Sequence, residues 1–204
     1  MEAGTEVKER IVARAFDLFR QYGIKTISMA DIAVDLGISK KTLYKWFSDK
    51  DELVAETVTA YLQEVKNICT GAADNPVEEF CSAINLSIQR LLHLHTAFFY
   101  DLKKYYQPAY QIWLQYKQEH IVQLFQDNFL RGVQSGLYRS DLNPDVTARL
   151  YVGQLQSIYY SDLFPPAEYN RQETYQQNLK HFVLGLVSKE GYKILSQVQL
   201  KHCN

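Results

Sequence analysis

The chain has 204 residues, 47% of them hydrophobic and 22% charged, with a formal net charge of −1. That is enough apolar material for a core and enough chain for one small module plus one larger helical domain. A balance near zero excludes a polyelectrolyte that binds nucleic acid indiscriminately.

A first helix is expected over residues 6–22, with Ile11, Ala15, Leu18, Phe19 and Tyr22 on one face and Gly23 as its stop. Arg10 and Arg14 on it read as solvated. Ser28 opens a second helix, with Asp31 three residues on at capping-box spacing. Met29, Ile32, Ala33 and Leu36 fall at i, i+3, i+4 and i+7, the apolar face of a short helix. Gly37 follows, where a helix commonly ends in a left-handed residue. Ser39 can cap a third helix over 40–47, so Leu36-Gly37-Ile38-Ser39 has the length of a helix-turn-helix turn.

On a wheel of about 100° per residue, Leu43 and Phe47 share the side that faces the core. Lys41, Thr42 and Lys45 fall opposite, with Tyr44 and Trp46 on the shoulders. That distribution suits a helix in the DNA major groove, side chains toward base edges and shoulders toward phosphates. Residues 38–50 carry four lysines against Asp49 alone, whereas residues 1–52 balance nine basic with nine acidic side chains. Such lysines also describe an ordinary solvated face. Ser48-x-x-Asp51 is a further helix start, and Lys50 sits at that N-terminus, where free amides and the helix dipole favour a phosphate.

The fourth helix is expected over 51–70, with Val54, Val58, Tyr61, Leu62, Val65 and Ile68 inward, and a break at Gly71–Pro76. Beyond it the chain is helical and rich in tyrosine: 13 of the 15 lie after residue 60, all but Tyr61 beyond the break. Helices are expected over 77–95, 97–106, 108–135 and from near 145, the last after a connector that runs to Pro144. Leu163-Phe-Pro-Pro166 interrupts the chain. A last long helix is expected over 172–188, with a polar tail after Gly191. The fold class is therefore all-α.

Cys69, Cys81 and Cys203 lack zinc-ligand spacing and are expected to be free thiols in a reducing cytoplasm. Residues 1–10 are charged rather than signal-like, and no run approaches the ~18 apolar residues of a membrane span. No catalytic motif appears. On one helix His93 and His95 would diverge, so no metal and no cofactor is expected, and no enzyme. Asn85, Gln89, Arg90, His93, Tyr100, Trp113, Tyr116 and His120 lie on helices that could surround a ligand cavity.

The order ADIA, G-I-S, T-L-Y, W-F, S-D-K-D-E-L within residues 30–53 resembles the N-terminal DNA-binding domain of the tetracycline-repressor (TetR-like) family. The connector G-L-Y-R-S-D-L-N-P-D at 136–145 is similar to the one before the penultimate helix of many members. Lys41 stands where many members carry glycine or proline, so the family's base contacts there are not carried over. The resemblance implies a helix-turn-helix domain over 1–52 and a ligand-binding and dimerisation domain over 53–204, with helix 51–70 linking them. It further implies a cytoplasmic homodimeric regulator, most naturally a repressor, that binds double-stranded DNA at a palindromic operator and answers to a small-molecule effector. Lys41, Thr42 and Lys45 are assigned to base edges or nearby phosphates. Ser39, Tyr44, Trp46 and Lys50 are assigned to phosphates, and Ser28 and Lys40 complete the DNA-binding set. Gln89, His93, Tyr100, Trp113, Tyr116 and His120 are the candidate effector ligands. The last two long helices, with Gly153 and Gly185 on them, would form the dimer interface. The fourth helix would be the sole route by which an effector moves the reading head. A helical adaptor that uses the same face on a protein is the alternative, and a small helical enzyme a remoter one.

Overall fold

The computed structural model describes residues 2–68, 73–159, 163–165 and 167–202. Among these the secondary structure is α-helical, apart from a π turn at Lys117–Ile121 and one antiparallel bridge between Tyr138 and Val187. The helices are α1 (Glu2–Tyr22), α2 (Met29–Asp35), α3 (Lys40–Trp46), α4 (Lys50–Ile68), α5 (Pro76–Leu92), α6 (Phe98–Tyr105), α7 (Gln107–Tyr116), α8 (Val122–Gln134), α9 (Pro144–Tyr159), α10 (Arg171–Leu186) and α11 (Lys189–His202). Cys69, Cys203, the expected helix end at Thr70 and the break's first residue, Gly71, lie outside the described residues. Cys81 is a free thiol, buried in α5, and burial pushes it up to about 11.

By packing, the chain divides into two units, each discontinuous in sequence. The first holds residues 1–68 and 93–116. Its core holds much of the expected apolar set of α1 to α4, with Ile11, Ala15, Phe19, Ile32, Leu43, Phe47 and Val54 all at most 1% exposed, and adds Leu53, which was not expected there. Burying an aliphatic or phenyl side chain this fully stabilises by about 1.5–3 kcal/mol. Tyr22, expected inward, is exposed. Phe16 of α1 stacks on Tyr61 of α4 and meets Phe98 of α6 edge to face. Helix α7 packs along α4, with Lys66 over the Tyr116 ring.

Helix α5 stops at Leu92, short of the expected residue 95, because the chain there turns to a different partner. The His95 N–H donates to the Arg20 carbonyl at 2.7 Å, and its Nδ1 accepts from the Ala97 N–H. His93 and His95 therefore belong to a turn rather than to one helix.

The second unit holds residues 69–92 and 117–204. Phe80, Phe125, Phe129, Tyr151 and Phe182 form its aromatic centre, with ring centroids 4.5–6.1 Å apart. The connector after α8 is fastened by Tyr138, which is buried and whose hydroxyl meets the Pro76 carbonyl at 2.8 Å and Asn128 Oδ1 at 3.0 Å. Gly132 is required there, since a Cβ on it would lie 2.0 Å from the Tyr138 ring. The single helix expected over 108–135 is α7, the π turn and α8 in succession. The expected polar tail is helix α11, whose Gly191 and Leu195, four residues apart, are both buried.

Candidate nucleic-acid interface

The local chemistry of residues 28–52 builds this face. Ser28 Oγ accepts the Asp31 N–H while Asp31 Oδ2 accepts both the Ser28 hydroxyl and its N–H, a complete capping box. Those bonds from Ser28 hold the Asp31 carboxyl below the usual carboxylate range. Gly37 has φ +66°, the left-handed conformation that glycine adopts without a Cβ clash, and it turns the chain out of α2. Ser39 Oγ then accepts the Thr42 N–H at 3.0 Å and shares a hydrogen bond with Thr42 Oγ1, which starts α3. Such a cap is worth about 1 kcal/mol. Arg14 of α1 pairs with Asp35 of α2 through both carboxylate oxygens, so it is a clamp between helices.

Leu43 and Phe47 anchor α3 in the core, and this fixes what the opposite side presents. Lys40, Lys41, Tyr44 and Lys45 are exposed, while Thr42 and Trp46 are half-buried. Lys45 Nζ lies 5.8 Å from the Trp46 ring centroid. Among the described residues, none of Lys40, Lys41 and Lys45 is in an ion pair. Three uncommitted ammonium groups, a phenol and a pair of hydroxyls thus share one short helix, the donor set that phosphates and base edges accept.

Lys50 departs from its expected role. Its ammonium turns inward, donating to the Ile24 carbonyl at 2.6 Å and, more weakly, to the Lys25 carbonyl at 3.5 Å. It sits over the rings of Phe19 and Tyr106, and burial lowers its pKa against the opposing pull of Asp101. The helix start is likewise shifted by one residue. Asp49 Oδ1, rather than Ser48, accepts the Glu52 N–H, and Glu52 reaches back to the Ser48 N–H and hydroxyl. Lys50 turns inward because the loop from Gly23 to Ile27 passes beside α4's first turn, where the part-buried Ile24 carbonyl takes its donor.

The far side of that loop is held by a residue that sequence reasoning missed. Asp101 of α6, 5% exposed, accepts the Lys25 N–H at 2.9 Å. The peptide between Ile24 and Lys25 is therefore gripped at its carbonyl by a cation from α4 and at the next N–H by an anion from α6. The available signal was an acid on the apolar face of α6, beside Phe98, Phe99 and Leu102. Helix α6 thus touches the loop before α2 alongside α4, a contact that the expectation of α4 as the sole route did not include.

The six candidate effector residues are divided between the two units. Trp113 and Tyr116 are buried in the first unit, where Trp113 packs on Phe99 and Tyr116. Tyr100 and His93 are exposed in the same unit, whereas Gln89 and His120 belong to the second. In the second unit a hollow of about 440 Å³ lies between α9 and α10, lined by Gln154, Ile158, Phe164, Tyr169, Asn178 and His181 among others. The Asn178 Nδ2 is buried without a hydrogen-bond partner. Among the described residues, no cluster of His, Cys, Asp or Glu is fit to hold a metal, and no helix is long and apolar enough to cross a membrane.

Comparison with known proteins agrees with this geometry. The family model described as "Bacterial regulatory proteins, tetR family" matches residues 11–57. The chain is 32% identical over 159 residues to the uncharacterized HTH-type transcriptional regulator YvaF of Bacillus subtilis (strain 168), covering 74% of this chain and 80% of that one. It is 25% identical over 181 residues to the HTH-type transcriptional repressor KstR2 of Mycobacterium tuberculosis, covering 85% and 89%. A regulator from Saccharomonospora viridis, solved in complex with choline, superposes with a TM-score of 0.75 at 16% identity, covering 91% of this chain and all of that one.

Proposed function

Because the chain belongs to the tetR family of bacterial regulatory proteins and is thereby a DNA-binding transcriptional regulator, we propose that it is a ligand-responsive repressor working as a homodimer on a near-palindromic operator. The observation that carries the reading is α3: a capped helix with Leu43 and Phe47 sunk in the core and Lys40, Lys41, Tyr44 and Lys45 outward and unpaired by acids. In this reading residues 1–52 bind DNA. Lys41, Thr42 and Lys45 meet base edges or nearby phosphates, and Ser28, Ser39, Lys40, Tyr44 and Trp46 position the backbone. Lys50 contributes from behind by fixing the loop before α2.

Dimerisation is supported by a face of α9 and α10 that the described residues leave open. A cavity of about 500 Å³ runs past Val146, Leu150 and Gly153, and Val146, Leu150 and Leu184 are 50%, 60% and 43% exposed. A Cβ built on Gly153 or Gly185 would meet nothing within 4 Å. Two such faces related by a two-fold axis make a self-complementary contact. Ligand response is supported by the choline complex of the structural neighbour. The likeness to KstR2 favours repression over activation.

Fluorescence anisotropy on a duplex selected by the native protein tests the assignment. Tyr44→Phe is expected to weaken binding equally on matched and mismatched duplexes, since a phosphate contact carries little sequence information. Lys45→Ala is expected to lower affinity and, if it reaches a base edge, to relax preference there by about 1–3 kcal/mol. Unchanged affinity in both variants across a salt series would remove α3 from the interface.

A further inference from the structure

On the first unit's surface, ammonium groups gather round two tyrosines of α6. Lys25 Nζ donates to the Tyr105 hydroxyl at 3.1 Å and lies 4.5 Å from its ring centroid. Lys104 Nζ donates to the Tyr100 hydroxyl at 2.7 Å and lies 5.1 Å and 5.3 Å from the ring centroids of Tyr100 and Tyr105. Both tyrosines are exposed, at 52% and 37%. Among the described residues neither lysine has a carboxylate within ion-pair distance. The one acid of α6, Asp101, is buried and turned to the Lys25 backbone.

Two cations on one ring repel each other. The ring face attracts both, but among the described residues no carboxylate pairs with either to neutralise them. Tyr105 accepts from Lys25, so its own hydroxyl hydrogen remains to donate, and lysines serve as point-charge partners for phosphate oxygens. The patch is open rather than a closed pocket, which suits a polyanion better than a small anion. Lys25 also stands only three residues before the α2 cap, Ser28, on the loop that leads into the candidate interface.

We infer that Lys25, Lys104 and Tyr105 form an auxiliary phosphate-binding surface that grips the DNA backbone flanking the bases read by α3. The surface rests on the DNA-binding reading above and extends the footprint without adding sequence information. It makes the salt dependence of binding steeper than α3 alone would, at about 0.9 in the slope of log K against log salt per phosphate neutralised.

The test measures that slope for the full chain on two duplexes that share a selected core, one with about one helical turn (~10 bp) of flank on each side and one without. The double variant Lys25→Ala/Lys104→Ala, carried by both subunits of the proposed dimer, is expected to lower the slope by about 2–4 on the doubly flanked duplex and to bind the core duplex as the native chain does. Lys104→Gln alone, at a fully exposed position, is expected to give about half that change, which separates contact loss from unfolding. An unchanged slope on both duplexes, with Lys45→Ala still weakened, would overturn the surface and leave the DNA reading standing. Equal losses on both duplexes would also overturn it, because the effect would not come from the flank. A native chain that binds no selected duplex would sink both.

Discussion

Lys45 and Lys50 carry the same charge at neighbouring places, yet their ammonium groups are committed differently. Lys45 reaches solvent beside the Trp46 ring, free to meet a polyanion. Lys50 is spent on the Ile24 carbonyl, and so on the shape of the loop before α2. Removing it strands a part-buried acceptor, which costs about 1–3 kcal/mol. Lys50→Met is therefore expected to lower the denaturant midpoint of the protein by that order and to leave the salt slope of DNA binding unchanged. A variant of native stability with a shallower slope would restore Lys50 to a phosphate. Sequence could place Lys50 at a helix start but could not see which carbonyl the tertiary fold would bring to it. Ser28, Ser39 and Gly37 were legible because their partners lie three or four residues away. Helical periodicity shows which residues share a face of one helix and nothing about which helices converge, so the candidate effector residues had no such local partner to mark them.

Elements with strong local signals came out close to their sequence bounds. Helices α2 and α3 start at their serine caps, and α8 ends before Gly136, whose φ is +72°. Where elements were misjudged, a distant partner had intervened: α5 is cut short by the bond from His95 to Arg20, and α11 exists because Gly191 and Leu195 bury. The contact of α6 with the α1–α2 loop belongs to this class, and it yields a prediction. Asp101→Asn keeps the shape but replaces a charge-assisted acceptor with a neutral one, a loss of about 1 kcal/mol. Hydrogen exchange at the Lys25 amide is expected to speed up about five-fold, with the amide of Thr42 in α3 unaffected. Exchange at Lys25 that stays at the native rate would mean that α6 does not hold the loop.

At the scale of the whole molecule, the open face of α9 and α10 and the short α3 make one statement. A single seven-residue helix reads only a few base pairs, so specificity needs two copies, and two copies need a self-complementary surface. Light scattering is expected to give a dimer at micromolar concentration. Leu150→Glu, which sets a charge on that face, is expected to give a folded monomer that binds the operator at least tenfold more weakly. A monomeric native chain would defeat the dimer. An effector that couples to DNA by a typical ~1–3 kcal/mol would weaken operator binding about 5–150-fold, with DNA weakening the effector equally.

The measurement that bears most directly on the central claim is selection of duplexes from a random pool by the purified chain. The account predicts enrichment of a near-palindrome whose half-sites are centred about one helical turn, or a multiple of it, apart, with enrichment lost in Lys45→Ala. A pool that stays random through successive rounds, at salt low enough to retain phosphate contacts, would contradict it.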